Sequence, residues 1–167
     1  RSLEKKGRED FIVHFFGKYG DAHDMPPIWM MVELMDFGSV LSFYRGVSTE
    51  LRRKLAESLG LHQKVVLNWL LALNSVRNRC AHHARLWNWN LGYPATILER
   101  DPRWQVLRGL DRKMGTILHV CRHWLEKARV GHYWPQRVEE HFDKFNGIDL
   151  DAMGLVPQWT QRPVWKL

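Results

Sequence analysis

Between Arg77 and Arg85 the chain reads Arg77-Asn78-Arg79-Cys80-Ala81-His82-His83-Ala84-Arg85. A histidine titrates near neutral pH, so it can take or give a proton. A guanidinium stays cationic and presents a planar fork to anionic oxygens. Together they suit proton transfer beside a phosphate or another anion. Zinc is the competing chemistry, because Cys80, His82, His83, His119, Cys121 and His123 could all ligate it. Their spacing has neither a Cys-x-x-Cys nor a His-Glu-x-x-His pattern. Two core cysteines and surface histidines are the reading preferred, with no metal and no other cofactor.

A helix from about Leu61 to at least Ala81 positions this group. At about 100° per residue, Val66, Trp69, Leu73, Val76 and Cys80 form one core-facing stripe. Lys64, Asn68, Ser75 and Arg79 form a polar face. A third row, Leu67, Leu71, Asn74, Asn78 and His82, begins apolar and turns polar, and Arg85 joins it if the helix continues. Such a row fits the wall of a cleft, and it fits a solvated helix end equally well.

The rest of the chain also reads as helices. Residues 1–19 form one, with Phe11, Ile12, Phe15 and Phe16 on its apolar side, broken at Tyr19-Gly20-Asp21. Pro26-Pro27 opens a second, from about Ile28 to Tyr44. Gly46 ends it, and Ser48 or Thr49 caps a third through Ser58. Gly60 stops that one. Asp101-Pro102 starts a fifth helix to about Lys127, Gly131 follows, and Pro135 opens a short sixth. No segment alternates with period two. The expected fold is all-α, an antiparallel helical bundle over residues 1–145. Residues 146–167 form a mostly irregular tail anchored by Val156, Trp159 and Trp165.

Composition narrows the function class. The chain has 167 residues, 45% hydrophobic and 26% charged, which favours one soluble globular domain. The formal charge of +7 favours a polyanionic partner, since lysines and arginines on phosphates release counterions. Nine tryptophans suit a packed core with some left as stacking surfaces. Two cysteines make no disulfide scaffold, so a reducing, cytoplasmic compartment is expected. No apolar run is long enough for a membrane span. The chain begins at Arg1, which fits a processed or excised piece whose first helix is cut short.

An arginine followed by a polar residue, with a histidine five positions on, resembles the signature of HEPN nucleases. Here it continues as Ala81-His82-His83-x-Arg85-Leu86-Trp87-Asn88, which resembles the Abi-like family (AbiD/AbiF type) of bacterial abortive-infection proteins. Pro26-Pro27-Ile28-Trp29, then Glu33, then Phe37-Gly38 and Phe43-Tyr44, resembles a second segment of that family, in the same order.

The resemblance implies a HEPN-like bundle and metal-independent cleavage of RNA in phage defence. A 2′-hydroxyl attacks the neighbouring phosphate, a base takes its proton, and an acid protonates the leaving 5′-oxygen. His82 would transfer protons, Arg77 would stabilise the phosphoryl charge, and Asn78 would orient phosphate or His82. Asn74, Arg79, His83, Arg85, Trp87 and Asn88 are supporting or RNA-contacting candidates. Glu33, in a largely apolar run, would pair with Arg77 or another motif arginine if buried; an exposed helix glutamate is the other reading.

Five residues on a helix are about 140° apart, so Arg77 and His82 do not share a face. Arg77 reaches round, or the helix distorts before His82, or a second subunit supplies one of the two. The resemblance implies pairing across a two-fold axis, and the homodimer is preferred. The partners expected are RNA, a second copy with the motif at the interface, and a neutralising antitoxin. A HEPN-type RNA-binding or protein-interaction domain without turnover, and a purely structural bundle, are the alternatives.

Overall fold

The computed structural model describes residues 10–145 and 147–165, so the part of the first expected helix before Asp10 lies outside the described residues. Every regular element among them is helical, and the fold is all-α. Contacts divide the chain into two compact units, Arg1–Gly46 and Val47–Leu167.

The first unit contains α1 (Asp10–Tyr19), α2 (Ile28–Glu33) and α3 (Phe37–Gly46). On α1, Ile12 and Phe15 are buried, whereas Phe11 and Phe16 of the expected apolar side are exposed. The single helix expected over 28–44 is two. Asp36 breaks it: its Oδ1 accepts the Ser39 N–H at 2.7 Å and caps α3. Leu41 and Tyr44 of α3 are buried.

The second unit begins with α4 (Thr49–Ser58). Ser48 is its N-cap, accepting from Leu51 N–H at 3.2 Å. Gly60, in the left-handed region at φ 67°, turns the chain into α5 (Gln63–Ala81). His62 caps α5 by accepting the Lys64 N–H. In the Arg52-Arg53-Lys54 run of α4, Arg53 and Lys54 are solvated, in exposed pairs with Glu57 and Glu50, whereas Arg52 is half-buried and donates to Thr49 Oγ1.

The fifth expected helix is also split. Asp101 does cap Pro102–Leu107, accepting from Arg103 N–H, but that segment is a 3-10 turn. Gly109 at φ 78° then redirects the chain before α6 (Met114–Lys127). Arg129, at φ 56°, ends α6 ahead of Gly131: Val130 N–H reaches Leu125 O and Arg129 N–H reaches Glu126 O. Pro135 lies in the first turn of α7 (Trp134–Asp143), as its sequence position predicts.

α5 packs on both α4 and α6. The centre of this unit is aromatic. Trp69 of α5 and Trp104 are fully buried and stacked, with centroids 5.1 Å apart. His119 and His123 of α6, expected at the surface, are buried beside them. Burial pushes the His119 pKa down to about 4 and also lowers that of His123. Burial likewise pushes the half-buried Cys121 up to about 11, so it stays a thiol. Arg122 is 1% exposed, and its Nε and Nη1 have no hydrogen-bond partner among the described residues.

The tail is mostly irregular, with short 3-10 turns at Asp151–Met153 and Trp159–Gln161. Its anchors are Leu155, Trp159, Val164 and Trp165, which form one cluster; Val156 is only half-buried. Trp165 stacks on Trp134 at 5.4 Å and donates its indole N–H to His119 Nε2. Gly115 lets the tail approach α6, since a Cβ there would strike the Gly154 carbonyl.

Candidate active site

α5 stops at Ala81 for a definable reason. His82 is the C-cap, and its N–H donates to Asn78 O at 3.1 Å. His83 adopts φ 53°, left-handed backbone for a residue with a Cβ. His83 N–H donates to Cys80 O, and Ala84 N–H to Arg79 O, both at 3.0 Å. These two bonds are the paired closure of a Schellman motif, with histidine where glycine is usual. The helix therefore does not continue, and Arg85 leaves the row Asn74, Asn78, His82.

The Arg77 guanidinium donates Nη1–H to Asn78 Oδ1 at 3.1 Å. Asn78 sits one turn before His82, only about 40° away around the axis. Arg77 is thus drawn toward the His82 side of the helix. Arg77, Asn78 and His82 are all exposed, and Asn74, one turn earlier, is half-buried. Cys80 is exposed too and is not a core residue. The apolar stripe is buried at Val66 and Trp69, but the helix drifts from strict heptad spacing, and its last turn extends beyond the core.

The chain returns along that last turn. Arg79 donates Nε–H to Arg85 O at 2.8 Å, and its guanidinium lies over the Trp89 ring, 4.5 Å from the centroid. These two contacts make Arg79 a brace between the helix end and the loop. Arg85 stands over Trp87 at 5.7 Å. Trp87 donates its indole N–H to Asp149 O at 3.1 Å, and Asn88, exposed, turns the chain at φ 51°.

The rest of this loop is pinned to the middle of α5. Asn68, expected on the polar face, donates to Pro94 O and accepts from Thr96 N–H at 2.7 Å. Arg112 donates Nη1–H to the carbonyls of Leu91 and Gly92. Sequence reasoning missed both residues. Asn68 lacked a visible partner, and Arg112 lies far from the motif in sequence.

Glu33 closes α2 in the other unit and is exposed. A separate cleft of about 430 Å³ opens at the opposite end of α5, lined by His62, Val65, Arg103, His123 and Lys127 among others. Arg103 there bridges Asp101 and Glu126 at 2.8 and 3.2 Å. Its hydrogen bonds to Asp101 hold that carboxyl below its usual pKa. No motif residue lines this cleft. Among the described residues no group of three His, Cys, Asp or Glu is placed to hold a metal.

The family model described as Abi-like protein matches residues 1–88, just over half of the 167-residue chain. The chain belongs to the Abi-like protein family. In this Abi-like protein the match takes in the Pro26-to-Tyr44 segment and ends on Asn88, the last residue of the motif. No curated protein and no solved structure matches the chain. No described helix of the Abi-like chain is long and apolar enough to cross a membrane.

Proposed function

We propose that this Abi-like protein is a metal-independent endoribonuclease of the HEPN type, acting in abortive infection of phage-infected bacteria. Family membership supports the defence role. The observation that carries the chemistry is the Arg77–Asn78 hydrogen bond, which gathers a guanidinium on the side of the helix end where His82 stands exposed.

Arg77 neutralises the phosphoryl oxygens as the 2′-hydroxyl attacks and the P–O5′ bond breaks. His82 moves the protons, taking one from the hydroxyl and returning one to the leaving 5′-oxygen. The products are a 2′,3′-cyclic phosphate and a 5′-hydroxyl. The exposed motif is free to meet a second copy across a two-fold axis, so that His82 of one subunit faces Arg77 of the other at one phosphate. An antitoxin that covers this surface would neutralise the enzyme.

The second reading is an RNA-binding or protein-interaction domain without turnover. It is favoured by the open placement of Arg77 and His82 on the single chain. Incubation with single-stranded RNA in EDTA tests the proposal. Cleavage to cyclic-phosphate ends, lost in His82→Ala with helicity retained, is the expected result. A magnesium requirement, or cleavage surviving in His82→Ala, overturns it. Salt-sensitive binding without products selects the second reading.

A further inference from the structure

Two arginine–tryptophan stacks flank the motif, and they differ in what they leave free. In the Arg79–Trp89 stack the guanidinium is half-buried and its Nε is committed to the Arg85 carbonyl. In the Arg85–Trp87 stack both side chains are exposed, Trp87 by 36%. The Trp87 indole N–H is held by Asp149 O, which fixes the ring's edge rather than its face. The Arg85 guanidinium has no hydrogen bond or ion pair among the described residues, so its N–H donors remain available.

With Arg85 over one face of the anchored Trp87 ring, the ring's remaining exposed surface beside an unpaired cation selects a ligand that is both planar and anionic. An acidic peptide would use the cation and leave the indole unused. An apolar peptide would do the reverse. A nucleotide uses both, through base stacking and phosphate hydrogen bonds. The base must be unpaired, because in a duplex its face is already stacked.

Position points the same way. The left-handed turn at His83 and the Arg79–Arg85 bond bring Arg85 back against the turn that ends in His82. We infer that Arg85 and Trp87 form a nucleotide subsite of the cleavage site: Trp87 stacks one unpaired base, and Arg85 holds the phosphate joined to it. The inference rests on the ribonuclease reading, which places the scissile phosphate at Arg77 and His82.

The test uses the full chain carrying His82→Ala, so that RNA is bound and not consumed. Affinity is read by fluorescence anisotropy with a single-stranded RNA oligonucleotide containing 2-aminopurine. Trp87→Ala should weaken binding at least about tenfold, and Trp87→Phe, which keeps an aromatic face, should retain most of it. Quenching of 2-aminopurine should appear with the parent and vanish in Trp87→Ala. Arg85→Ala should lower the slope of log affinity against log salt by about one. If Trp87→Ala proves unfolded, quenching in the parent and binding by Trp87→Phe still decide the matter.

Undiminished affinity in folded Trp87→Ala, or no quenching in the parent, overturns the subsite and leaves the ribonuclease reading standing. Failure of the parent to bind RNA, with no cleavage by the unmutated chain, overturns both. Intact RNA affinity with loss of self-association in Trp87→Ala would make the pair a subunit contact and also refute the inference.

Discussion

Trp165 donates its indole N–H to Nε2 of His119 across 3.1 Å, and this bond ties the tail to α6. Nδ1 of the same ring lies 2.7 Å from Gly115 O. Nδ1 must carry the proton for that contact, and Nε2 must be bare to accept from Trp165. The pair therefore requires neutral imidazole, in agreement with a pKa pushed down to about 4 by burial.

Acid should therefore loosen the tail. The unfolded His119 takes a proton near 6.5, whereas the folded one resists until about 4. The neutral ring's contribution is complete above the unfolded value, shrinks as pH falls, and levels off below the folded one. The loss amounts to about 3 kcal/mol across that interval. Urea midpoints measured from pH 7 to 4 should show this limb, and His119→Gln should flatten it. A midpoint in the parent that is no more acid-sensitive than in His119→Gln would contradict the assignment.

Arg79→Ala should cost about 1–2 kcal/mol by chemical denaturation, because it removes a stacked cation and a bond to the Arg85 carbonyl. Arg79→Lys should not restore it, since an ammonium has no planar fork to stack and donate at once. Full rescue by lysine would mean that charge alone matters there.

His83 occupies a backbone conformation that suits glycine. His83→Gly should stabilise the chain by about 1 kcal/mol, read as a raised melting temperature. RNA cleavage should persist, because the proposed proton carrier is His82. Loss of cleavage in a stable His83→Gly protein would transfer that role to His83.

If the cleft is composite, two dead proteins should make a live one. Arg77→Ala mixed with His82→Ala should regain up to about a quarter of parental cleavage, since half the dimers are mixed and each has one whole site. Each variant alone should fall by at least about a hundredfold. No recovery after subunit exchange would place Arg77 and His82 of the same chain at one phosphate.

Local signals were legible in the sequence wherever one residue decides an outcome. Ser48 and Asp101 cap as their types require, Pro135 opens α7, and the motif helix ends on Ala81. The Abi-like family was recognisable from the Pro26-to-Tyr44 segment and the Arg77-to-Asn88 stretch. Asp36 was not, because an aspartate within an apolar helical run looks like a surface position until its side chain is seen capping Ser39. Cys80 misled because heptad spacing extends a core stripe past the point where the core ends. His119, Arg122 and His123 were unreadable as buried, since polar residues enter a core through tertiary partners that no local pattern records.

The brace of Arg79 has a practical corollary. Because it locks the helix end to the tryptophan loop, substitutions at Arg79 or Trp89 will displace Arg77, His82, Arg85 and Trp87 as a group. An alanine scan scored on cleavage alone would rank those scaffold positions with the proposed catalytic ones. Only a parallel record of folding would tell a broken hinge from a missing proton.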